Sequence, residues 1–504
     1  MRDRSGAFPP LGEPARDGAE TDSGRASSAT ITRPVRGLDA VADSAPRTIA
    51  GRLRSRFRDW GGRVVLLCLD PFLGLSLPGF LDPESALIVT LDESPALDEL
   101  RDRGFEVLRV DAEMVASRSS AALLAAPAVQ ARLLELAVEG PVGLLSFKPS
   151  HQLVKAVREL DAKAPEFARG RLALFAGSPK VARRFENKHR FPKLIAARGV
   201  PLPESRTIRP ADDSDYASLT AALGRPFVAQ TAAGFSGAGT TLIASREDWA
   251  ALVAERPGRP LKVVRLVEGR AVTVNACVLR DGATVCGPLV EQLTGHATLT
   301  PHRLGSCGNR WGLPELEVHR AEAARIAGEV GAALHAEGYI GHFGLDLILS
   351  EDEGAARMTV IECNPRLTAP LPISTALSLE RGEAPLLALH LLAHAGLEDE
   401  DLRERAPEIT ELTQLILRHQ GPAREDQPRP WSLATTEALR RPGTFRDFFG
   451  AVFSKAGSEL RSLDIELGGR RRVKEGQEIA RRLIRGGLSP WSLEGEIQRF
   501  AADR

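Results

Sequence analysis

Cysteine is scarce in this 504-residue sequence: Cys68, Cys277, Cys286, Cys307 and Cys363 are its only thiols, an odd total with no Cys-x-x-Cys among them. That pattern argues against a disulfide framework and fits reduced thiols in a cytoplasm. Net charge is missing too, since 66 Lys and Arg balance 66 Asp and Glu. The chain therefore shows no global basic footprint for nucleic acid. No apolar run reaches the roughly 18 residues of a membrane span. The most hydrophobic region, 64–81, is broken by Asp70, Pro71 and Pro78. The opening MRDRSGAFPPLGEP lacks the apolar core of a secretion signal. A G-x-G-x-x-G after the first strand and a Met-Lys biotin-attachment pair are also absent.

What remains is a multidomain α/β and α+β reading. Length alone suggests about three domains, and 43% hydrophobic residues support large cores. Residues 1–58, rich in Arg, Pro, Gly, Ser and Ala with acids interspersed, read as a disordered leader whose removal should leave activity intact. From 59 to 180, short apolar runs (Val64–Cys68, Ala86–Leu91, Phe105–Val110, Val142–Phe147, Leu172–Phe175) alternate with helical stretches. Such alternation predicts a doubly wound, mostly parallel sheet. Residues 181–405 mix strands and helices, with a first lobe over 181–262 and a second over 263–405. Residues 406–504 read as a helical, Arg-rich C-terminal domain containing Trp431 and Trp491. Its cluster RRRVKEGQEIARRLIR (470–485) reads as a solvated helix face, or alternatively as a dock for an acidic partner.

The stretch 341–365, GHFGLDLILSEDEGAARMTVIECNP, is the most informative. It reads as two apolar strands joined by a turn. Side chains alternate faces along a strand, so Glu362 and Asn364 share one, and a hairpin can set Asp346 beside them. A carboxylate inside an apolar strand costs several kcal/mol unless paired or bound to a cation. Two carboxylates and an amide oxygen suit Mg²⁺ held against phosphates. The plainer alternative is a pair of edge-strand acids facing water.

Upstream lies a glycine-rich loop, Gly234-Phe235-Ser236-Gly237-Ala238-Gly239-Thr240, between two strands. Glycines let backbone N–H groups approach phosphate oxygens, although many such loops are only turns. It is not a P-loop, because no Gly-Lys-Ser/Thr follows.

Taken in order, NK-x4-K-x5-GVP from Asn187, PFVAQ-x3-GFSGAGT, VVRLVEGR, and G-x-D followed by IECNPR make residues 181–370 resemble the ATP-grasp superfamily. The resemblance implies a two-lobed ATP-grasp fold behind a pre-ATP-grasp domain, with ATP and Mg²⁺ (Mn²⁺ as an alternative) as cofactors. It places Lys188 toward the nucleotide phosphates and the loop glycines 234, 237 and 239 with Ser236 over them. Backbone groups of Arg265 to Val267 fall at the adenine edge. Asp346, Glu362 and Asn364 fall on the metal ligands, and Arg366 falls near the transferred phosphate. A surface salt bridge is the plainer role for Arg366. Two positions depart from the family pattern. Gln230 stands where a lysine is usual at the end of the first-lobe strand. Ala271 stands where an acid often holds the ribose.

The implied reaction joins a carboxylate to an amine through an acyl phosphate, as in an ADP-forming peptide ligase. The layout is similar to ligases of the pheganomycin type and to those that load amino acids onto carrier proteins in natural-product pathways. An amino acid or small peptide and its amine acceptor are the partners this implies, with a carrier protein and a homodimer as further options. Neither nucleic acid nor membrane is expected. The polar stretch 287–312 reads as a substrate loop offering Glu291, Gln292, His296, Arg303 and Arg310, with His342 nearby; each of these residues has an ordinary structural role as its alternative. A biotin-carboxylase-like bicarbonate activator and a non-catalytic nucleotide sensor or scaffold are the competing functions.

Overall fold

The computed structural model describes residues 29–32, 48–210, 212–234, 237, 239–352, 354–406, 410–426, 430–435, 440–453, 460–466 and 471–503. The chain divides into two compact units, Met1–Ala176 with His394–Leu397, and Gly177–Ala393 with Glu398–Arg504. Among the described residues no helix is long and apolar enough to cross a membrane.

The first unit is built on strands β1 (Ala29–Thr32), β2 (Arg63–Cys68), β3 (Ala86–Thr90), β4 (Glu106–Val110), β5 (Val142–Ser146) and β6 (Leu172–Leu174). They lie in the order β1-β4-β3-β2-β5-β6. β2 to β6 are parallel, and β1 closes one edge antiparallel to β4. Continuous apolar strands such as RVVLLC and ALIVT are what a sheet covered on both faces requires. Between β4 and β5 the helical stretch is two helices, Ser120–Ala125 and Pro127–Glu139. The break falls at Pro127, which has no N–H for an earlier turn but suits a first helical position.

The leader expectation needs correcting at its end. Ile49–Trp60 is a helix capped by the Thr48 hydroxyl, with Leu53 and Phe57 buried on one face. The Phe57 ring lies 6.1 Å from that of Phe80. Cutting at residue 58 would strip this helix away. Truncating a buried Phe costs about 3–5 kcal/mol, so Phe57→Ala should lower stability by that order in urea denaturation. A loss under about 1 kcal/mol would show that the helix is dispensable. Residues 1–28 and 33–47 of the expected leader lie outside the described residues.

In the second unit, β7 (Ser205–Ile208), β8 (Phe227–Gln230), β9 (Thr240–Ile243) and β10 (Leu261–Arg265) form an antiparallel sheet in the order β7-β10-β8-β9. Its core is Phe227, Ala229, Ile243, Leu261 and Val263 packed on Trp249, Leu219 and Leu223 from two helices. A larger sheet follows in sequence: β11 (Arg270–Val278), β12 (Thr284–Thr294), β13 (Ser306–Trp311), β14 (Gly341–Asp352), β15 (Ala355–Asn364) and β16 (Leu412–Arg418). After the short β17 (Arg424–Asp426) come β18 (Ser432–Thr435), β19 (Arg440–Pro442), β20 (Leu460–Glu466), β21 (Arg471–Val473) and β22 (Glu478–Arg485). Ten of these strands run β15-β14-β11-β12-β13-β16-β22-β20-β18-β19, and β17 pairs with β21. The helix Arg320–Ala336 packs Ile326, Ala327, Val330 and Leu334 against Val272, Val274, Leu345 and Leu347.

The C-terminal segment is therefore largely strand, and the helical reading fails there. Its helices among the described residues are Phe445–Phe453 and Pro490–Ala502. The Arg-rich cluster is not a solvated helix face. Arg481 and Arg482 are 4% and 3% exposed on β22. Arg482 is bidentate to Asp464 at 2.6 and 2.9 Å and reaches Asp503 at 2.6 Å. Buried charges need such partners, and these acids lie too far along the chain for local periodicity to reveal.

Candidate active site

The acidic hairpin forms as its alternation requires. β14 and β15 pair with Asp346 opposite Glu362 and Gly344 opposite Asn364. The register then slips, so that Leu347 faces Val360 and Ile361 is the extra residue of a bulge. Bulges bend a strand locally and re-aim its side chains. Leu345, Leu347, Val360 and Cys363 point into the core, which leaves Asp346 and Glu362 together on the opposite face. Thr273 of β11 stands across from Asp346 on that face, and its hydroxyl donates to the Leu345 carbonyl at 3.0 Å.

Positive charge meets these acids from two sides. Lys188 Nζ is 2.5 Å from Glu362 Oε2. Asn364 Nδ2 donates to Asp346 Oδ2 at 3.0 Å, and its Oδ1 accepts from Arg366 Nη2 at 3.0 Å. Arg366 is also held by Glu186 at 3.3 Å and by the Leu367 carbonyl at 3.1 Å. Withdrawal from water, followed by the Glu362 charge, pushes the Asp346 carboxyl up to about 6. Two acids forced into this proximity, with an amide beside them, fit a bound divalent cation better than a water-facing edge. Among the described residues no cluster of three or more His, Cys, Asp or Glu forms a metal site.

The first lobe contributes from β8 and the loop beyond it. Lys188 N–H donates to the Ala232 carbonyl at 3.1 Å, fixing the lysine beside the loop. Thr231 N–H donates to the Gly239 carbonyl at 2.8 Å and closes the loop's neck. Gly237 has φ +87°, and a Cβ there would come within 2.8 Å of the Gly305 Cα. Gly234 is half-buried, whereas Ser236 lies outside the described residues. Gln230 is 5% exposed, and its carbonyl lies 3.3 Å from His189 Nε2.

Arg265 ends β10, where its guanidinium is held by Glu204 and the Ala222 carbonyl, both at 2.8 Å. Val267 follows in irregular backbone, which leaves its peptide groups outside either sheet. Gly269 then turns at φ +151°, where any Cβ would sit 2.4 Å from the Leu349 carbonyl oxygen.

The expected substrate loop is not a loop. Most of 287–312 belongs to β12 and β13, which pair Glu291 with Arg310 and Gln292 with Asn309. Glu291 bonds Arg310 at 2.8 Å and Arg270 at 3.2 Å, so this trio is a cross-strand ion cluster within the sheet. His296 and Arg303 lie in the connecting segment, and neither is joined to the carboxylates by a hydrogen bond or ion pair among the described residues. His342 is fully buried; its Nδ1 lies 2.9 Å from the Arg366 carbonyl, and its N–H donates to His390 Nδ1 at 3.1 Å. Burial drives its imidazole down to about 3, so it stays neutral and supports Arg366 from beneath.

Three residues near the site escape a linear reading: Thr273, Glu186 and Lys262. Thr273 was signalled only by its place in the alternation Val272-Thr273-Val274. Lys262 is 4% exposed on β10. Burial and the neighbouring Lys188 bring its ammonium down to about 8, against the pull of Glu362.

Comparison with known proteins bears on the fold that carries this site. Residues 185–370 match the family model described as the ATP-grasp domain. No curated protein matches the chain in sequence. Among solved structures, the biotin carboxylase domain of Hydrogenobacter thermophilus 2-oxoglutarate carboxylase, with MgADP and bicarbonate, is similar at 13% identity and TM-score 0.53, covering 88% of this chain and 89% of that one. Aspergillus clavatus N5-carboxyaminoimidazole synthase, with ADP and its aminoimidazole ribonucleotide, is similar at 15% identity and TM-score 0.53, covering 88% and 100%. The Staphylococcus aureus N5-carboxyaminoimidazole synthetase, with ADP, is similar at 13% identity and TM-score 0.52, covering 88% and 97%. At these identities the likeness shows the fold, and the chain carries an ATP-grasp fold with its matched domain over residues 185–370.

Proposed function

We propose that this chain is an ATP-dependent, ADP-forming ligase that activates a carboxylate as an acyl phosphate and passes the acyl group to an amine. The observation that carries the reading is the cluster Lys188, Glu362, Asp346, Asn364 and Arg366, which links the start of the first lobe to the hairpin of the second. In this reading a carboxylate oxygen of the substrate attacks the γ-phosphorus of ATP, and ADP leaves. The amine nitrogen then attacks the acyl carbon, phosphate departs, and the nitrogen loses a proton.

Asp346, Glu362 and Asn364 would hold magnesium, which supplies charge neutralisation at the transferring phosphoryl group. Lys188 orients the phosphates from the first-lobe side, because its ammonium stands at the Glu362 carboxylate. Arg366 aims a guanidinium at the same face, where fixed positive charge stabilises developing negative charge. The glycine loop excludes water, which would otherwise hydrolyse the acyl phosphate. The irregular backbone at Val267 suits the adenine edge.

The finer reading places an amino acid or short peptide on at least one side of the new amide. The layout likeness to pheganomycin-type ligases assumed a helical appendage; the strands found there remove that support, and the reading rests on the site. A second reading, bicarbonate as the activated carboxylate, is favoured by the neighbours that bind bicarbonate or bear carboxylation names. One assay separates the two. The protein is incubated with ATP and magnesium, with bicarbonate in one arm and pooled amino acids and short peptides in the other. ADP release and mass spectrometry are the readouts. Products equal to two substrates less one water support the amide ligase, and ADP release only with bicarbonate supports the second reading. Nucleotide binding with no turnover in any arm refutes both in favour of a sensor.

A further inference from the structure

The first-lobe sheet has one face committed to its own core. Phe227 and Ala229 of β8 and Leu261 and Val263 of β10 all lie in that core with Trp249. By alternation, Val228, Gln230, Lys262 and Val264 point to the other face. Gln230 and Lys262 are directly opposed across the β8–β10 pair, where Cβ atoms stand about 4.5–5.5 Å apart. Both are buried, at 5% and 4% exposure. This face looks toward the site, since Lys188 and Glu362 are the charges that act on Lys262.

Among the described residues Lys262 makes no hydrogen bond or ion pair, although its neighbours are well provided. Glu362 is taken by Lys188 at 2.5 Å. Gln230 carries no charge to answer an ammonium. A buried, unpaired ammonium is costly unless an anion joins it. Buried charge of this kind concentrates where ligands bind. The missing partner must be anionic, must sit beyond the end of β8, and must lie beside the loop closed by Thr231 and Gly239. A polyphosphate meets all three conditions. It offers several negative oxygens, so Lys188 and Lys262 can share it without competing for Glu362.

We infer that Lys262 is a phosphate-binding residue: its ammonium enters the nucleotide site from the strand beside Gln230 and supplies the positive charge that Gln230 lacks. The inference rests on the ligase reading and deepens it. It also turns the glutamine from a defect into half of an exchange, in which the cation sits on the adjacent strand, opposite its usual position.

Equilibrium binding of ADP and of adenosine, each with magnesium, by the full-length protein tests this. Lys262→Met should weaken ADP at least tenfold and leave adenosine within about threefold. Melting of the protein without nucleotide should hold or rise, because an unpaired buried charge has gone. The double variant Gln230→Lys/Lys262→Met should recover ADP binding to within about threefold of wild type. Lys262→Gln, closer in polarity, repeats the measurement if the Met variant does not fold. Unchanged ADP affinity in either single variant would overturn the inference, as would equal losses for ADP and adenosine, which mark a structural role. Wild-type protein that binds neither ligand would instead bring down the ligase reading, and this inference with it.

Discussion

Glu362→Gln should abolish ADP formation while leaving the protein folded. The substitution keeps the shape of the side chain and removes its charge. In this structure Glu362 answers Lys188 at 2.5 Å and stands in register with Asp346 across the hairpin. With Gln there, Lys188 loses its anchor and the proposed cation site loses one of two carboxylates. Charge stabilisation of this kind is worth several kcal/mol at the transition state, and each 1.36 kcal/mol is tenfold in rate. A fall in kcat of roughly a thousandfold or more is expected. Circular dichroism and thermal melting should stay close to wild type, because the side chain lies off the apolar core and relieving the Asp346–Glu362 repulsion offsets the lost ion pair. Retained turnover would move the metal-binding function away from the hairpin.

Arg366→Ala should produce the second-largest loss, and of a different kind. The guanidinium touches Asn364 Oδ1 and Glu186 and sits on the face shared with the acids. Acting on charge that develops during phosphoryl and acyl transfer, it should lower kcat by about a hundred- to a thousandfold. ADP affinity should change by no more than a few-fold, because on the proposed reading the other cations would still hold the ground-state phosphates. Arg366→Lys should recover only part of the loss, since an ammonium lacks the planar fork. The measurement is kcat against KM for ATP in a coupled ADP assay. If kcat stays within threefold of wild type, Arg366 is only the salt bridge to Glu186.

The hairpin was legible because everything it needs is local. FGLDLIL and MTVIEC carry their acids at alternating positions within strong β-formers, and the structure pairs them with Asp346 facing Glu362. The parallel strands of the first unit were equally visible as apolar runs bounded by turn residues. The C-terminal strands were not, because Arg481 and Arg482 break the apolar alternation of EIARRLIR; Arg481 is answered by Glu478 in the same strand, but the acids that neutralise Arg482, Asp464 and Asp503, lie elsewhere in the chain. The stretch 287–312 misled for a related reason: Glu291 and Arg310 look like exposed loop residues until they face each other across two strands. Lys262 hid in LKVVR, since a lysine near a strand end is ordinary until the opposing position proves to be a buried glutamine.

The sheet that carries Asp346 does not stop at the matched domain. β13 pairs with β16 and β16 with β22, so strands of the C-terminal segment continue the same hydrogen-bonded ladder. A protein ended near residue 406 would expose the β13 edge, with Cys307 and Trp311 uncovered beside it. Such edges invite pairing between molecules. The acidic hairpin and the tail therefore share one compact unit, and trimming the appendage would unzip a ladder that the hairpin's own sheet belongs to.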